Sequence, residues 1–245
     1  MLACLGGRGA GRAAELPGSG EAGPLAISSR MAAWAKSVAP AGADRVIVAT
    51  LAHALVTRGW RHRDHLTLTA REAYDRREGD CVSFALTLVA LARARGVPAR
   101  LAVREPATWV TASDLEVAAG HMVVGLDHGS TLLVFDSLGE DGEEAGTFRP
   151  LSDAQALGIF HANRGAGLLL ADSLEDSVRE LEKAVAAAPD LPSAWVNLGV
   201  ALRRAGRERE AEGAYRQALR LAPRSASAWR NLALLLETRT EGALP

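Results

Sequence analysis

Three residues in chain order, Cys81, His121 and Asp136, are of the types that make an activated thiol nucleophile, its base and the group that orients the base. Gly79-Asp80-Cys81 stands where a loop runs into a long apolar stretch, so Asp80 is placed as a helix N-cap and Cys81 as the first helical residue. A thiol there meets the positive end of the helix dipole and unpaired N–H groups, both of which favour the thiolate. The competing interpretation of Cys81 is a small buried hydrophobe, the ordinary condition of a free cysteine. His121 and Asp136 bracket Asp127-His128-Gly129-Ser130. A two-residue turn at His128 and Gly129 pairs Asp127 with Ser130 and Leu126 with Thr131, and so sets His121 directly opposite Asp136. A carboxylate at that distance bonds one imidazole nitrogen and fixes the tautomer, leaving the other nitrogen for the thiol.

The elements needed to bring these groups together can be read from the hydrophobic pattern. Residues 40–58 and 69–77 have helical character, and Cys81 to Arg95 forms a strongly apolar helix that Gly96 ends. Val97, Ala99, Leu101 and Val103 alternate as a strand, and His121–Leu126 with Thr131–Asp136 form the arms of the hairpin. Beyond them the chain repeats: Trp195, Asn197, Leu198 and Gly199 return 34 residues later as Trp229, Asn231, Leu232 and Ala233. Ala211, Tyr215, Ala218 and Pro223 complete that unit. A weaker copy lies 34 residues upstream, with Asn163, Gly165, Leu168, Leu181, Ala184 and Pro189 in register and His161, Arg164 and Ser177 departing from it. Small residues at the helix crossings and large rings between successive pairs explain the period, which makes Trp195 and Trp229 core residues. Arg164 is an odd residue for such a core and is expected to face the preceding domain.

The repeat matches the tetratricopeptide (TPR) pattern. A helix opening with Cys, a strand opening with His and an Asp ending the next strand resemble the transglutaminase-like superfamily, over about Arg30 to Gly139. Thr69-Ala70-Arg71-Glu72-Ala73 leading to Arg77, Gly79 and Cys81, then Ser83-Phe84, Ala90-Leu91-Ala92-Arg93, Gly96, Ala99-Arg100 and Trp109, is similar to bacterial transglutaminase-like proteins with C-terminal TPRs. Val123 and Ser137 replace the Trp and Pro that many such cores carry. The resemblance implies an α+β papain/transglutaminase-like domain followed by an all-α TPR helical array. It also implies Cys81, His121 and Asp136 as a triad working through a thioester acyl-enzyme that water or an amine resolves. The expected layout is a leader over 1–28, the transglutaminase-like domain over 29–157 and the array over 158–245, divided as 158–191, 192–225 and a partial 226–245. For the oxyanion, the Cys81 N–H is a natural donor, with Trp60 and Tyr74 as side-chain candidates.

Composition narrows the partners. A net charge of −1 with Arg and Glu interleaved, and no basic stripe, gives no reason to expect nucleic acid. No run of 18 apolar residues is present, which excludes an ordinary membrane-spanning helix. Cys4 and Cys81 lie in unlike settings, so a structural disulfide between them is not expected. No metal or other cofactor is expected either: His62 and His65 have no second cluster, and Glu140–Glu144 lacks the alternation of a calcium loop. The Gly-rich opening reads as a flexible leader. Its Met1-Leu2-Ala3-Cys4 resembles the end of a lipoprotein signal, with a lipid anchor at Cys4 and a periplasm-facing location if the start is truncated, and a cytoplasmic one otherwise. The expected activity is a cysteine hydrolase or acyltransferase acting on amide bonds of a peptide or protein, with the TPRs docking a partner or bracing the domain. The alternative is a catalytically idle scaffold that mediates protein–protein interaction through the TPR region.

Overall fold

The computed structural model describes residues 23–105, 109–112, 115–118, 122–129, 131–136 and 147–241. In chain order these form α1 (Ser29–Val38), α2 (Asp44–Thr57), β1 (Arg61–His62), α3 (Ala70–Arg76), β2 (Glu78–Gly79), α4 (Cys81–Ala94), β3 (Arg100–Glu105), β4 (Trp109–Ala112), β5 (Leu115–Ala118), β6 (Met122–His128), β7 (Thr131–Phe135) and β8 (Thr147–Pro150). A run of helices follows: α5 (Asp153–Leu170), α6 (Leu174–Ala187), α7 (Pro192–Arg204), α8 (Glu208–Leu221) and α9 (Ala226–Glu241). The chain is thus an α/β region followed by a helical array. Among the described residues, no helix is long and apolar enough to cross a membrane.

α4 is the axis of the first region. Every residue from Val82 to Ala92 is buried, which its nearly uniform apolar sequence requires. One side of it meets α1 and α2, and another meets the antiparallel sheet β7-β6-β3-β8 through Met122, Val124, Leu126 and Phe135. The other face of the sheet holds a small separate cluster of Ala102, Val123 and Val134. Local signals set the helix starts. Thr69 and Glu72 form a reciprocal capping box on α3, Ser152 and Gln155 do the same on α5, and the Ser28 side chain caps α1.

The array repeats its contacts as well as its residues. A Cβ on Gly165 would lie 2.5 Å from Leu181 of α6, and one on Gly199 would lie 2.4 Å from the Tyr215 ring of α8. The two glycines are thus the points where each helix pair closes.

Four expectations are corrected. Residues 24–27, expected within the leader, belong to the fold, because the Pro24 carbonyl accepts from Ala70 N at 2.8 Å, Ala26 is buried, and Leu25 and Ile27 pack on the main core. The helix expected from Pro40 starts at Asp44, after Gly42 at φ 148°. The division expected at residue 158 falls inside α5, whose Ala156, Ile159 and Phe160 belong to the core of the first region. Trp229, expected in the core, is 55% exposed, because among the described residues no further helix covers it.

Candidate active site

The approach to Cys81 is fixed by a buried polar knot. Gly79 has φ 148°, and a Cβ on it would sit 2.5 Å from Ser83 Cβ, so the chain passes there only without a side chain. Asp80 is the N-cap of α4 and is 7% exposed. Its Oδ1 accepts from Ser83 N at 2.8 Å and from Ser83 Oγ at 2.7 Å, while Thr67 Oγ1 donates to Oδ2. Ser83 Oγ in turn accepts from Leu68 N at 2.8 Å, and Asp80 N donates to Leu66 O at 3.1 Å. The segment 66–68 is therefore tied to the first turn of α4, and the parallel pair β1–β2 holds the strand just before it. Burial raises the Asp80 carboxyl above its ordinary value despite the bonds from Thr67 and Ser83.

Cys81 follows as the first residue of α4 and is partly buried. The backbone N–H groups of Met122, Val82 and Cys81 itself act on the thiol in the direction that favours the thiolate. The start of α4 packs against β6, with Cys81 against the cluster that contains Met122. The helix terminus alone does not set the thiol. Burial pushes it up, the Asp80 carboxylate pushes the same way, and the N–H groups only partly offset them. The expectation that helix position favours the thiolate is thus outweighed by burial.

Asp136 follows β7 and is buried at 3% exposure. It is not set opposite residue 121 in the ladder. β6 and β7 pair His128 with Thr131, Asp127 with Leu132 and Val124 with Phe135, so each residue's partner lies two further on than expected. The glycine decides this. Both hairpin-type two-residue turns need a positive φ at their first position, and Gly129 takes it at 63°, leaving His128 in the strand. A two-residue slip preserves which face each side chain occupies. His121 and Cys4 lie outside the described residues. The structure therefore brings Cys81 to the residue that follows His121 and buries Asp136 just past the neighbouring strand.

The two oxyanion candidates have different surroundings. The Tyr74 ring is committed: it meets Trp34 edge-on at 5.4 Å, and the Arg58 guanidinium lies 4.2 Å from its centroid and 4.8 Å from that of Trp34. Trp60 packs edge-on against Phe84, one turn along α4 from Cys81, with centroids 5.1 Å apart. Its Nε1 is buried without a hydrogen-bond partner among the described residues.

A second polar cluster, which sequence reasoning did not assemble, lies where α3 meets α5 and α6. His161 Nδ1 is 2.8 Å from Glu180 Oε2, Lys183 Nζ is 2.8 Å from Glu180 Oε1, and Arg164 Nη1 reaches Glu72 of α3 at 3.5 Å. These residues line a cavity of about 350 Å³. Burial would raise Glu180, but the bonds from His161 and Lys183 and their charges win and hold it at about 2. Arg164 does face the first region, as its misfit in the repeat implies. The clue to His161 was its place in a position that the next repeat fills with Trp195. Among the described residues, no cluster of three or more His, Cys, Asp or Glu could hold a metal.

With this geometry in view, the comparisons are specific. The transglutaminase-like superfamily core matches residues 30–126, a span that holds Cys81 and His121 and stops short of Asp136. The tetratricopeptide repeat matches residues 192–225, the unit of α7 and α8. No curated protein matches the chain. Among solved structures, an Arabidopsis OM64 TPR domain is 24% identical over 33% of this chain and 66% of that one, with a TM-score of 0.32. That superposition is too loose to carry an argument. The chain carries a transglutaminase-like core domain and a tetratricopeptide repeat, the latter a module of protein–protein interaction.

Proposed function

We propose that the protein is a transglutaminase-like cysteine hydrolase or acyltransferase acting on amide bonds of a peptide or protein, with Cys81 as nucleophile, His121 as base and Asp136 as orienter. The observation that carries this is the placement of Cys81 at a helix start, against the cluster that contains Met122, the residue after His121. In the reaction Cys81 Sγ bonds to the amide carbonyl carbon while His121 takes the thiol proton. Collapse breaks the C–N bond, and the amine departs with that proton. Water or a second amine then attacks the thioester; its proton passes to His121, the S–C bond breaks, and the thiol is restored. The Cys81 N–H and the Trp60 indole N–H, which has no partner among the described residues, are the donors for the oxyanion.

The array's role in this account is to brace the site. β5 lies against α5 and α7, the first helices of the two full units, and residues 119–121 lead from β5 to the base. Arg93 of α4 adds a bidentate pair to Asp153 at the start of α5, at 2.8 and 2.9 Å. The catalytic part and the array thus share one core through α5 rather than meeting at a boundary.

The test is incorporation of a fluorescent primary amine into a glutamine-rich protein, together with the appearance of new chain ends, in the full chain and in Cys81→Ala, His121→Ala and Asp136→Ala. Losses of about a thousandfold or more are expected for the first two. Turnover that survives Cys81→Ala would overturn the proposal.

A further inference from the structure

The loop that holds the Cys81 cap is pressed against the array at one point. His65 stands at φ 62°, in the left-handed region, and its carbonyl oxygen faces Gly167 in the last turn of α5. A Cβ on Gly167 would lie 2.8 Å from that oxygen, which belongs to the backbone and cannot swing aside as a side-chain tip would. The repeat does not ask for glycine there: the residues one and two periods on are Ala201 and Leu235. Gly165 and Gly199 receive side chains from the second helix of their own unit, whereas Gly167 receives the first region's main chain. That main chain is fastened on both sides of the contact. Before it, Arg61 N and Arg63 N donate to Arg77 O and Gly79 O at 2.9 and 3.0 Å, on the strand that leads to Cys81. After it, the Leu66 carbonyl accepts from Asp80 N at 3.1 Å and from Ser83 Oγ at 3.2 Å, both at the start of the Cys81 helix.

We propose that Gly167 is a positioning residue for Cys81: by seating the His65 carbonyl on α5 it sets the segment 65–68, and through that segment the Asp80 cap. The inference deepens the reading of Cys81 as nucleophile and rests on it. A methyl at 167 displaces the His65 carbonyl, and Leu66 is the next residue in the chain. The bonds from Asp80 N and Ser83 Oγ to Leu66 O then take up the movement, as does the bond from Thr67 Oγ1 to the Asp80 carboxylate. That carboxylate and the N–H groups of Val82 and Cys81 all act on the thiol, so a shifted cap changes its reactivity although nothing touching the sulfur has been replaced.

The test is the pH profile of Cys81 alkylation by a small haloacetamide in the full chain with Cys4→Ser, for the parent, Gly167→Ala, Thr67→Val, their double variant and Gly213→Ala. Gly213 is also helical but has open space where its Cβ would be, so it controls for the general effect of replacing a helical glycine. Gly167→Ala is expected to keep a cooperative melt and to move the profile by about half a pH unit or more, while Gly213→Ala superimposes on the parent. Thr67→Val takes the donor from Asp80 on the same segment and should move the profile too, with the double variant moving it by less than the sum. Superposition of Gly167→Ala on the parent, or additivity in the double variant, would overturn the proposal. Loss of the cooperative melt in Gly167→Ala would also overturn it, marking the contact as one needed for folding rather than for placing the thiol. Amine incorporation by the parent is measured alongside. Its absence beside a profile that still depends on Gly167 would count against Cys81 as nucleophile and leave the positioning of its thiol supported.

Discussion

Glu180 illustrates how a single carboxylate can report on the junction between the two parts of the chain. Its folded-state value, about 2, lies below the ordinary 4.5, so the ionised form is favoured by folding. The stability it contributes is complete above the ordinary value and is lost as pH falls from about 4.5 through about 2. Glu180→Gln is expected to lower stability by about 1–2 kcal/mol near neutral pH and to flatten the acid limb in that window, as thermal melts across pH would record. Asp80 acts on the thiol with the opposite sign. Asp80→Asn keeps an acceptor for Ser83 N and removes a negative charge beside Cys81, so thiol alkylation should begin at lower pH than in the parent protein. Asp80→Ala also removes the cap and should lower stability by about 1–3 kcal/mol. The Gly-Asp-Cys signal was legible because capping is local: the cap, the first turn and the apolar helix are contiguous in sequence. His161 and Glu180 were not, because their pairing depends on how two helices of one repeat cross.

The hairpin shows where element-level legibility stopped. Asp127-His128-Gly129-Ser130 announces a turn between two apolar runs, and both arms are where the pattern puts them. The register turned on which residue takes the positive φ, and glycine's freedom outweighed the choice of His128. Trp229 misled for a different reason. Its local pattern is that of Trp195, and both indoles donate to a proline carbonyl six residues back, at 2.9 Å. Burial depends on the element that comes next, which the pattern around Trp229 does not contain. α5 is the element that joins the two parts, and Phe160, 1% exposed, is its largest side chain in the first core. Phe160→Ala should lower stability by about 3–5 kcal/mol, seen as one shared shift in chemical denaturation rather than loss of the array alone.

For the whole molecule, α5 makes the array part of the first region's structure. A chain ending after Ala188 keeps α5 and α6 and should retain the first region's cooperative melt. A chain ending after Ser152 removes Ala156, Ile159 and Phe160 from the first core, and Asp153 from its pair with Arg93, and should lose it. Survival of that shorter chain with an unchanged melting temperature would remove bracing from the account. The α/β-then-array architecture was visible in the sequence, since a 34-residue period and an apolar helix between strands are strong signals. The seam was not, because a helix shared by two cores obeys both patterns at once.

The central claim is that His121 serves Cys81, and the pH dependence of Cys81 alkylation by a small haloacetamide tests it most directly, in a Cys4→Ser background with and without His121→Ala. Burial and Asp80 hold the thiol above its ordinary value, so a nearby imidazole is needed to bring reactivity down in pH. The account predicts reactivity well below about pH 8.5 that His121→Ala abolishes, leaving one titration above that value. Superimposable profiles for the two proteins, both titrating above it, would contradict the account.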